Sequence, residues 1–528
     1  MVGLVAGAVV AAILPNCGGG TQASSAGPPD SGIIVIHDPP QPPPDAGQPD
    51  ASAPDAGRSD VDGGAPAEDA GPVIPDAGTI PTIDAGPVVL WDLPMIRDVA
   101  AAACTYSNHR TAVKDGASLD VWDVTYNSWE SIDGQLQPIL IRAFASKPVG
   151  ASGGPGLVLA HGLGGEAKPD NAESLAALTG MFAIAFTGPG GGSASNVPPN
   201  NSEGRPSGYD NGRRMFDTIP DVRGSWFWGH AMAALRAATC LETRSDVDSN
   251  RLGITGFSAG GVISLIASSV DDRIKAAVPL SGTHAWNIAT QSPQAWQHAL
   301  LKGAGYDTGD PHWQRLMDAI IAPAATVAQS KSKVLMVDGS TDEFFPLTAF
   351  MATWNALPDA DKRLSLAANF DHGCYSLTGI EDKQTITNRA ALHADGAERM
   401  WFKHWFGTDA TYAYLPAAPS FTSTPVGATT LVVATVDPGG STLTVDNVKV
   451  WWSSDDSYLY GSMDLNKKNS TTYTAEPALF TTAPNTVMFV DVQYKPVNPL
   501  SAERFTLTTP PSIPADLVPH IRDIASCQ

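Results

Sequence analysis

Positive charge is scarce in this 528-residue chain: 32 Lys and Arg stand against 54 Asp and Glu, a formal net charge of −22. That balance argues against nucleic acid or an anionic membrane surface as a natural partner. A bilayer-length apolar segment is missing at the N-terminus as well. Residues 2–14 of "MVGLVAGAVVAAILPNCGGG" are apolar, but the run breaks at Pro15 and is too short to cross a membrane as a helix. It reads as the core of an export signal that lacks the usual positive leader.

Cysteine is sparse, five in all, and no CxxC or Cys/His cluster suggests zinc. No residue set calls for a metal or an organic cofactor. Cys17, followed by three glycines, resembles the acylation site of bacterial lipoproteins, although Pro15 and Asn16 depart from the small residues preferred there. A lipid-anchored and a freely secreted protein both stay open, with the export segment placed at 1–23. Cys104, Cys240, Cys374 and Cys527 remain, and an oxidising compartment can pair four thiols in three ways. Cys104 in "IRDVAAAAC" and Cys527 in "IRDIASC" lie near the two ends of the folded part, so a bridge between them would close a very long loop. Four separate buried thiols are the other reading.

Between 24 and 90 aromatic residues are almost absent, and the chain is Pro, Asp, Ala and Gly, with "DAG" recurring at Asp45, Asp55, Asp69, Asp76 and Asp84. Such a stretch cannot bury enough apolar area to offset ordering, so it reads as a solvated spacer. Its aspartates lack the ligand spacing of a calcium loop.

Ordered sequence begins at Trp91. "SLDVWDVTYNSW" and "LQPILIRAFASKP" read as strands of a hairpin turned at Asp133-Gly134. "GPGLVLAHG", "MFAIAFTGPGGG", "RLGITGFSAGG", "IKAAVPLSGT" and "SKVLMVDGS" are apolar runs ending in glycine-rich turns, as buried parallel strands do. Helical patterns at 170–178, 229–241, 259–268 and 293–301 alternate with them, and a last one covers 387–405. The expectation is an α/β fold over 91–415, a doubly wound and mostly parallel sheet covered on both faces. From Thr422 the chain turns rich in Val, Thr and Tyr, in alternating runs such as "TTLVVATV" and "DNVKVWWSS". We expect a small antiparallel, Ig-like β-sandwich over 416–528. Trp451 and Trp452 invite a carbohydrate reading, but neighbours in a strand face opposite ways, so no ligand is assigned.

Gly256-Phe257-Ser258-Ala259-Gly260 fits G-x-S-x-G between a strand and an apolar helix. Its glycines allow a sharp turn that pushes Ser258 Oγ out at the sheet edge, with the Ala259 amide at a helix start where an oxyanion could be held. The loop His161-Gly162-Leu163-Gly164-Gly165 offers a second amide, that of Leu163. A serine needs a base, and the base a carboxylate, in the chain order Ser, Asp, His. Asp342 in "DGSTDEFFP" is chosen as the carboxylate because its loop can reach over the sheet edge, while Asp338 ends the strand. His372 in "LAANFDHGCYS" is the base; His393 and His404 fall in the terminal helix pattern, where packing explains them. His161, Phe257, Trp226, Trp228 and His284 are candidates for the walls of a substrate pocket, although Trp226, Phe227 and Trp228 equally suit packing of a helix start.

From about Gly156 to Phe406 the chain resembles an α/β-hydrolase, most similar to the branch of dienelactone hydrolases, acetyl xylan esterases and prolyl oligopeptidase-like enzymes. "RGSWFWGHAMAALRAATCLETRSDVDSNRLGITGFSAGG" and "DDRIKAAVPLSG" carry the likeness. It implies Ser258 as nucleophile, Asp342 as acid, His372 as base, and the Leu163 and Ala259 amides as oxyanion hole. One departure is "AFTGPGGGSAS", which lacks an acidic residue common at that strand end. A long polar insertion follows it, "NVPPNNSEGRPSGYDNGRRMF".

The resemblance implies a serine hydrolase that cleaves carboxylic esters, of a polysaccharide, a polyester or a small molecule, and the N-terminal apolar run makes it an exported one. A prolyl oligopeptidase-like peptidase would use the same three residues, but no stretch before Gly153 is long enough for the propeller such enzymes carry. The alternative from another class is a cell-surface binding protein that keeps the fold without chemistry. Oligomeric state is not legible.

Overall fold

The computed structural model describes residues 89–205, 213–358, 361–372, 383–454, 459–475 and 486–518. The export segment, Cys17, the Asp-Ala-Gly spacer, Cys374, Cys527 and part of the polar insertion lie outside them.

A nine-stranded sheet, in the order β1-β2-β3-β5-β4-β6-β7-β8-β9, forms the larger layer. Its antiparallel edge is built by β1 (Thr105–Lys114), β2 (Ala117–Ile132) and β3 (Gln135–Pro148). Asp133 and Gly134 take φ of 50° and 74° between β2 and β3, the left-handed pair that a two-residue hairpin turn requires. Asp115 and Gly116 repeat that turn between β1 and β2, with φ of 50° and 82°, and β1 was not anticipated. Its residues are mostly exposed, so it shows none of the apolar content that betrays the inner strands.

The remaining strands are β4 (Gly154–Ala160), β5 (Phe182–Phe186), β6 (Val247–Phe257), β7 (Ile274–Leu280), β8 (Lys333–Gly339) and β9 (Arg363–Ala367). They run parallel to one another, while β3 meets β5 antiparallel. β4 and β5 are buried over nearly all their length and β6 from Leu252 to Phe257, as strands covered on both faces must be. Helices Pro169–Thr179, Trp226–Glu242, Ala259–Val270, Trp296–Ala304 and Lys383–Phe406 fall close to the five helical patterns of the sequence. Leu347–Ala356 and Pro311–Leu316 are additional.

Two four-stranded antiparallel sheets follow, as expected of a β-sandwich. In one, β10 (Ser420–Val426) pairs with β11 (Thr429–Thr435), then β15 (Thr472–Thr474) and β14 (Asn466–Lys467). In the other, β12 (Leu443–Ser453) lies between β13 (Gly461–Asp464) and β16 (Val487–Pro496), with β17 (Phe505–Thr508) outermost. One apolar core runs from Leu157, Ala276 and Leu335 of the large sheet, through Met400, Trp401 and Phe402 of the last helix, to Val448, Val490 and Phe505 of the sandwich.

The structure decides the cysteine pairing that the sequence left open. Cys104 is bonded to Cys240, 136 residues away with Cα atoms 5.6 Å apart, and not to Cys527. Sequence could not rank the pairings, because what brings Cys104 to Cys240 is the seating of the helix Trp226–Glu242 beside the start of β1.

Candidate active site

Ser258 stands at the end of β6 and caps the helix Ala259–Val270 with φ 62° and ψ −126°. A serine at positive φ is strained, and the surroundings over-determine it. Its amide donates to Leu280 O at 2.9 Å, while its own carbonyl accepts from Gly261 N at 2.8 Å. The flanking glycines are required by close approach: a Cβ on Gly260 would lie 2.1 Å from Ala160 O, and one on Gly256 2.5 Å from the same atom. So the turn is tight because β4 passes directly beneath it.

Asp342 and His372 come from the loops after β8 and β9, at the same C-terminal edge of the parallel strands. His372 Nε2 is 2.8 Å from Ser258 Oγ, and His372 Nδ1 is 2.8 Å from Asp342 Oδ2. The structure therefore brings together the three side chains that the chain order had singled out across 114 residues. Asp342 Oδ1 also accepts from the amides of Phe344 (2.8 Å) and Phe345 (2.7 Å). Burial alone would push this carboxyl up, yet the His372 imidazole and the Phe345 amide outweigh it and hold Asp342 below the ordinary carboxylate range.

Asp338 behaves in the opposite way. Buried at the end of β8 and beside the Asp342 charge, it is pushed well above the usual range and stays protonated. Its Oδ1 accepts from the Gly339 amide at 2.8 Å, and it makes no bond to His372. Glu343, also buried, accepts the His372 backbone amide at 2.7 Å. The imidazole lies among rings: Phe257 stacks on it at 4.8 Å between centroids, with Phe344 at 4.4 Å and Phe345 at 5.5 Å. Phe257, expected at a pocket wall, thus helps to seat the imidazole. The "DEFFP" run supplies Glu343 and both other phenylalanines, and its two adjacent aromatics after the carboxylate were the available signal.

The loop 161–165 runs against the serine, since a Cβ on Gly162 would meet Ser258 Cβ at 3.2 Å and Oγ at 3.7 Å. The reading of His161 is corrected in part: it lines a small cavity with Leu159, Glu166 and Phe186, and it also anchors the loop. Its Nδ1 donates to Gly162 O at 2.6 Å, and its Nε2 accepts from the Gly188 amide at 2.8 Å, so the ring is neutral and both nitrogens are committed. Burial lowers its pKa to about 4, consistent with that tautomer.

Trp226, Trp228 and His284 are corrected as well. Trp226 packs on the buried His230 at 4.5 Å and Trp228 on Trp91 at 6.3 Å, both inside the helix packing. Phe227 likewise contacts Trp286. His284 has no exposed surface and its Nδ1 faces Thr326 Oγ1 at 3.0 Å. A helix start rich in tryptophan has the same signature whether it lines a cavity or fills one, which is why sequence left the two readings equal. His393 is buried between Ser365 Oγ and Thr506 Oγ1, and His404 meets Tyr412 O, so both serve packing.

A strained serine between strand and helix, hydrogen-bonded to a histidine and an aspartate from later loops of the same sheet edge, is joined by a sequence match. Residues 231–407 match the prolyl oligopeptidase family. The larger layer has an α/β-hydrolase fold, and the match supports a serine hydrolase of the esterase or peptidase kind. Solved structures similar to this hydrolase include the acetyl xylan esterase from Paenibacillus sp. R4, at 19% identity and TM-score 0.43 over 53% of this chain and 86% of that one. Acetyl xylan esterase 1 from Thermoanaerobacterium sp. JW/SL YS485 follows at 18% and 0.41, over 55% and 88%. An acylaminoacyl peptidase is similar at 16% and 0.36, over 54% and 48%. Comparison of the hydrolase with curated proteins finds no match.

Proposed function

We propose that this hydrolase cleaves carboxylic esters through an acyl-enzyme, with Ser258 as nucleophile, His372 as general base and acid, and Asp342 as the carboxylate that orients it. The observation that carries the reading is the continuous bond chain Ser258 Oγ, His372 Nε2, His372 Nδ1, Asp342 Oδ2. In the first half-reaction the serine proton passes to Nε2 as Oγ adds to the ester carbonyl, and the imidazolium so formed is steadied by Asp342. The amides of Leu163 and Ala259 receive the oxyanion. Collapse expels the alcohol, which takes the proton from His372; water then repeats the sequence and releases the acid. Ester rather than peptide is favoured by the resemblance to esterases and by a nucleophile only 4% exposed, which suits a short acyl group. Acetylated polysaccharide, a polyester and small soluble esters all fit.

The family match over 231–407 favours a second reading, a peptidase working by the same steps with an amine as leaving group. An oxidising, exported location is supported by the Cys104–Cys240 bond together with the apolar N-terminal run, and Cys17 is the residue to examine for lipid.

The test compares short-chain p-nitrophenyl esters with a prolyl p-nitroanilide, alongside fluorophosphonate labelling, in wild type and Ser258→Ala. Ester turnover with labelling at Ser258, both lost in a folded Ser258→Ala protein, is the expected result. Anilide turnover exceeding ester turnover would move the assignment to a peptidase. Absence of both activities and of labelling would leave the binding-protein reading.

A further inference from the structure

The loop that carries His372 is bonded from two sides. Toward the hydrolase, Phe370 O accepts from Thr341 N at 3.2 Å and Thr341 Oγ1 at 3.0 Å, and the Asn369 amide donates to Ser340 Oγ at 3.0 Å. The opposite side faces the sandwich. Asn369 Nδ2 donates to Tyr460 O at 2.8 Å, and Asn369 Oδ1 accepts from Tyr460 N at 2.8 Å. A primary amide has the donor and acceptor spacing of a peptide unit, so this side chain makes with Tyr460 one rung of a strand ladder. Asn369 is 2% exposed and sits at φ 55°, a left-handed conformation that asparagine tolerates.

A second tether reaches the preceding residue. Arg389, on the helix Lys383–Phe406, donates from Nε and Nη2 to Ala368 O at 3.1 and 2.6 Å. Its guanidinium lies 4.8 Å from the ring centroid of Trp451, a buried residue of β12. Tyr460 and Trp451 both belong to the C-terminal sandwich; Tyr460 holds the Asn369 side chain, three residues before His372, and Trp451 backs the Arg389 that holds the Ala368 carbonyl, four residues before it.

We propose that the C-terminal sandwich is a positioning element for catalysis: through the Asn369–Tyr460 pair and the Trp451–Arg389–Ala368 tether it sets where the His372 imidazole stands relative to Ser258. This rests on the serine-hydrolase reading above. Asn369 and Arg389 touch neither substrate nor the reacting atoms, so they act through the base. Positional error of about 1 Å at a reacting group can cost about a hundredfold in rate. The seam between the two layers is therefore a determinant of turnover.

The experiment uses the full chain with Asn369→Gly, which keeps the left-handed backbone but removes the pair, and with Arg389→Gln and Arg389→Lys. Each is assayed for kcat and KM on p-nitrophenyl acetate, for the rate of fluorophosphonate labelling at Ser258, and for melting temperature, at a temperature where all are folded. We expect Asn369→Gly to lower kcat and labelling rate about tenfold or more with KM within about twofold of wild type. Arg389→Gln should move the same way, and Arg389→Lys, which keeps a cation over Trp451 and a donor for Ala368 O, should recover part of the loss. Folded Asn369→Gly or Arg389→Gln with wild-type kcat and labelling, or a loss that only tracks the unfolded fraction, overturns the proposal; if Asn369→Gly does not fold, the Arg389 pair decides it. Wild type that neither labels nor turns over any ester overturns instead the hydrolase reading beneath it.

Discussion

Asp338 and Asp342 are four residues apart, both buried, and environment sets them to opposite protonation states. Asp342 accepts two loop amides and faces the imidazole; for Asp338 the Gly339 amide does not offset burial beside its neighbour's charge. An amide therefore mimics the protonated Asp338 but not the ionised Asp342. Asp342→Asn should cost kcat about 10⁴-fold by favouring the wrong imidazole tautomer, whereas Asp338→Asn should cost far less, about tenfold at most. Steady-state kinetics of the two variants read this directly, and the reverse ranking would transfer the orienting role to Asp338. At this scale sequence had already preferred Asp342 to Asp338 by placing one in a loop and the other at a strand end. In the structure it is Asp342 that is bonded to His372.

Among the elements, the helix Lys383–Phe406 joins both layers. Its Glu398 is buried against the sheet and accepts from Thr255 Oγ1 at 2.5 Å. Burial raises its pKa from 4.5 to about 8. The folded state thus binds this proton more tightly than the unfolded chain does, and the associated stability is full below about pH 4.5 and is lost as pH rises to about 8. Thermal melting from pH 5 to 9 should show wild type falling relative to Glu398→Gln over that window; parallel curves would mean that Glu398 is ionised inside the fold without penalty. The Cys104–Cys240 bond ties the edge hairpin to the helix Trp226–Glu242. Reduction, or Cys104→Ala with Cys240→Ala, should destabilise the protein by about 2–5 kcal/mol, read as a lower midpoint in urea. An unchanged midpoint would show that packing already holds the hairpin.

Helices and inner strands were legible because their periodicity is a local property of apolar spacing. β1, exposed and polar, has no such pattern, and it exists because β2 presents an edge and a two-residue turn returns the chain to it. The tryptophans at 226 and 228 show the converse: spacing told that they lie on a buried helix start, while only packing told that they fill space rather than enclose it.

For the whole molecule, one apolar core crosses from the nine-stranded sheet through the last helix into the sandwich. His393 at the seam reaches both Ser365 of β9 and Thr506 of β17, and the Leu366 amide donates to Thr508 Oγ1. The C-terminal layer is therefore part of one packed body with the hydrolase. The N-terminal spacer is of different composition, and deleting residues 18–89 should leave kcat on a soluble ester within about twofold. A large loss would make the spacer part of the site.

By itself the sequence indicated the doubly wound layer, Ser258, Asp342 and His372 as candidate site residues, and an antiparallel C-terminal part, because strand alternation, helical periodicity and the G-x-S-x-G turn are encoded by neighbours in the chain. Tertiary structure alone decided the Cys104–Cys240 pairing, the protonation of Asp338 against Asp342, the burial of Trp226, Trp228 and His284, and the grip of Tyr460 on the loop of His372. Each of these depends on distance between segments far apart in sequence, and burial and electric potential are properties of that arrangement rather than of any residue's neighbours.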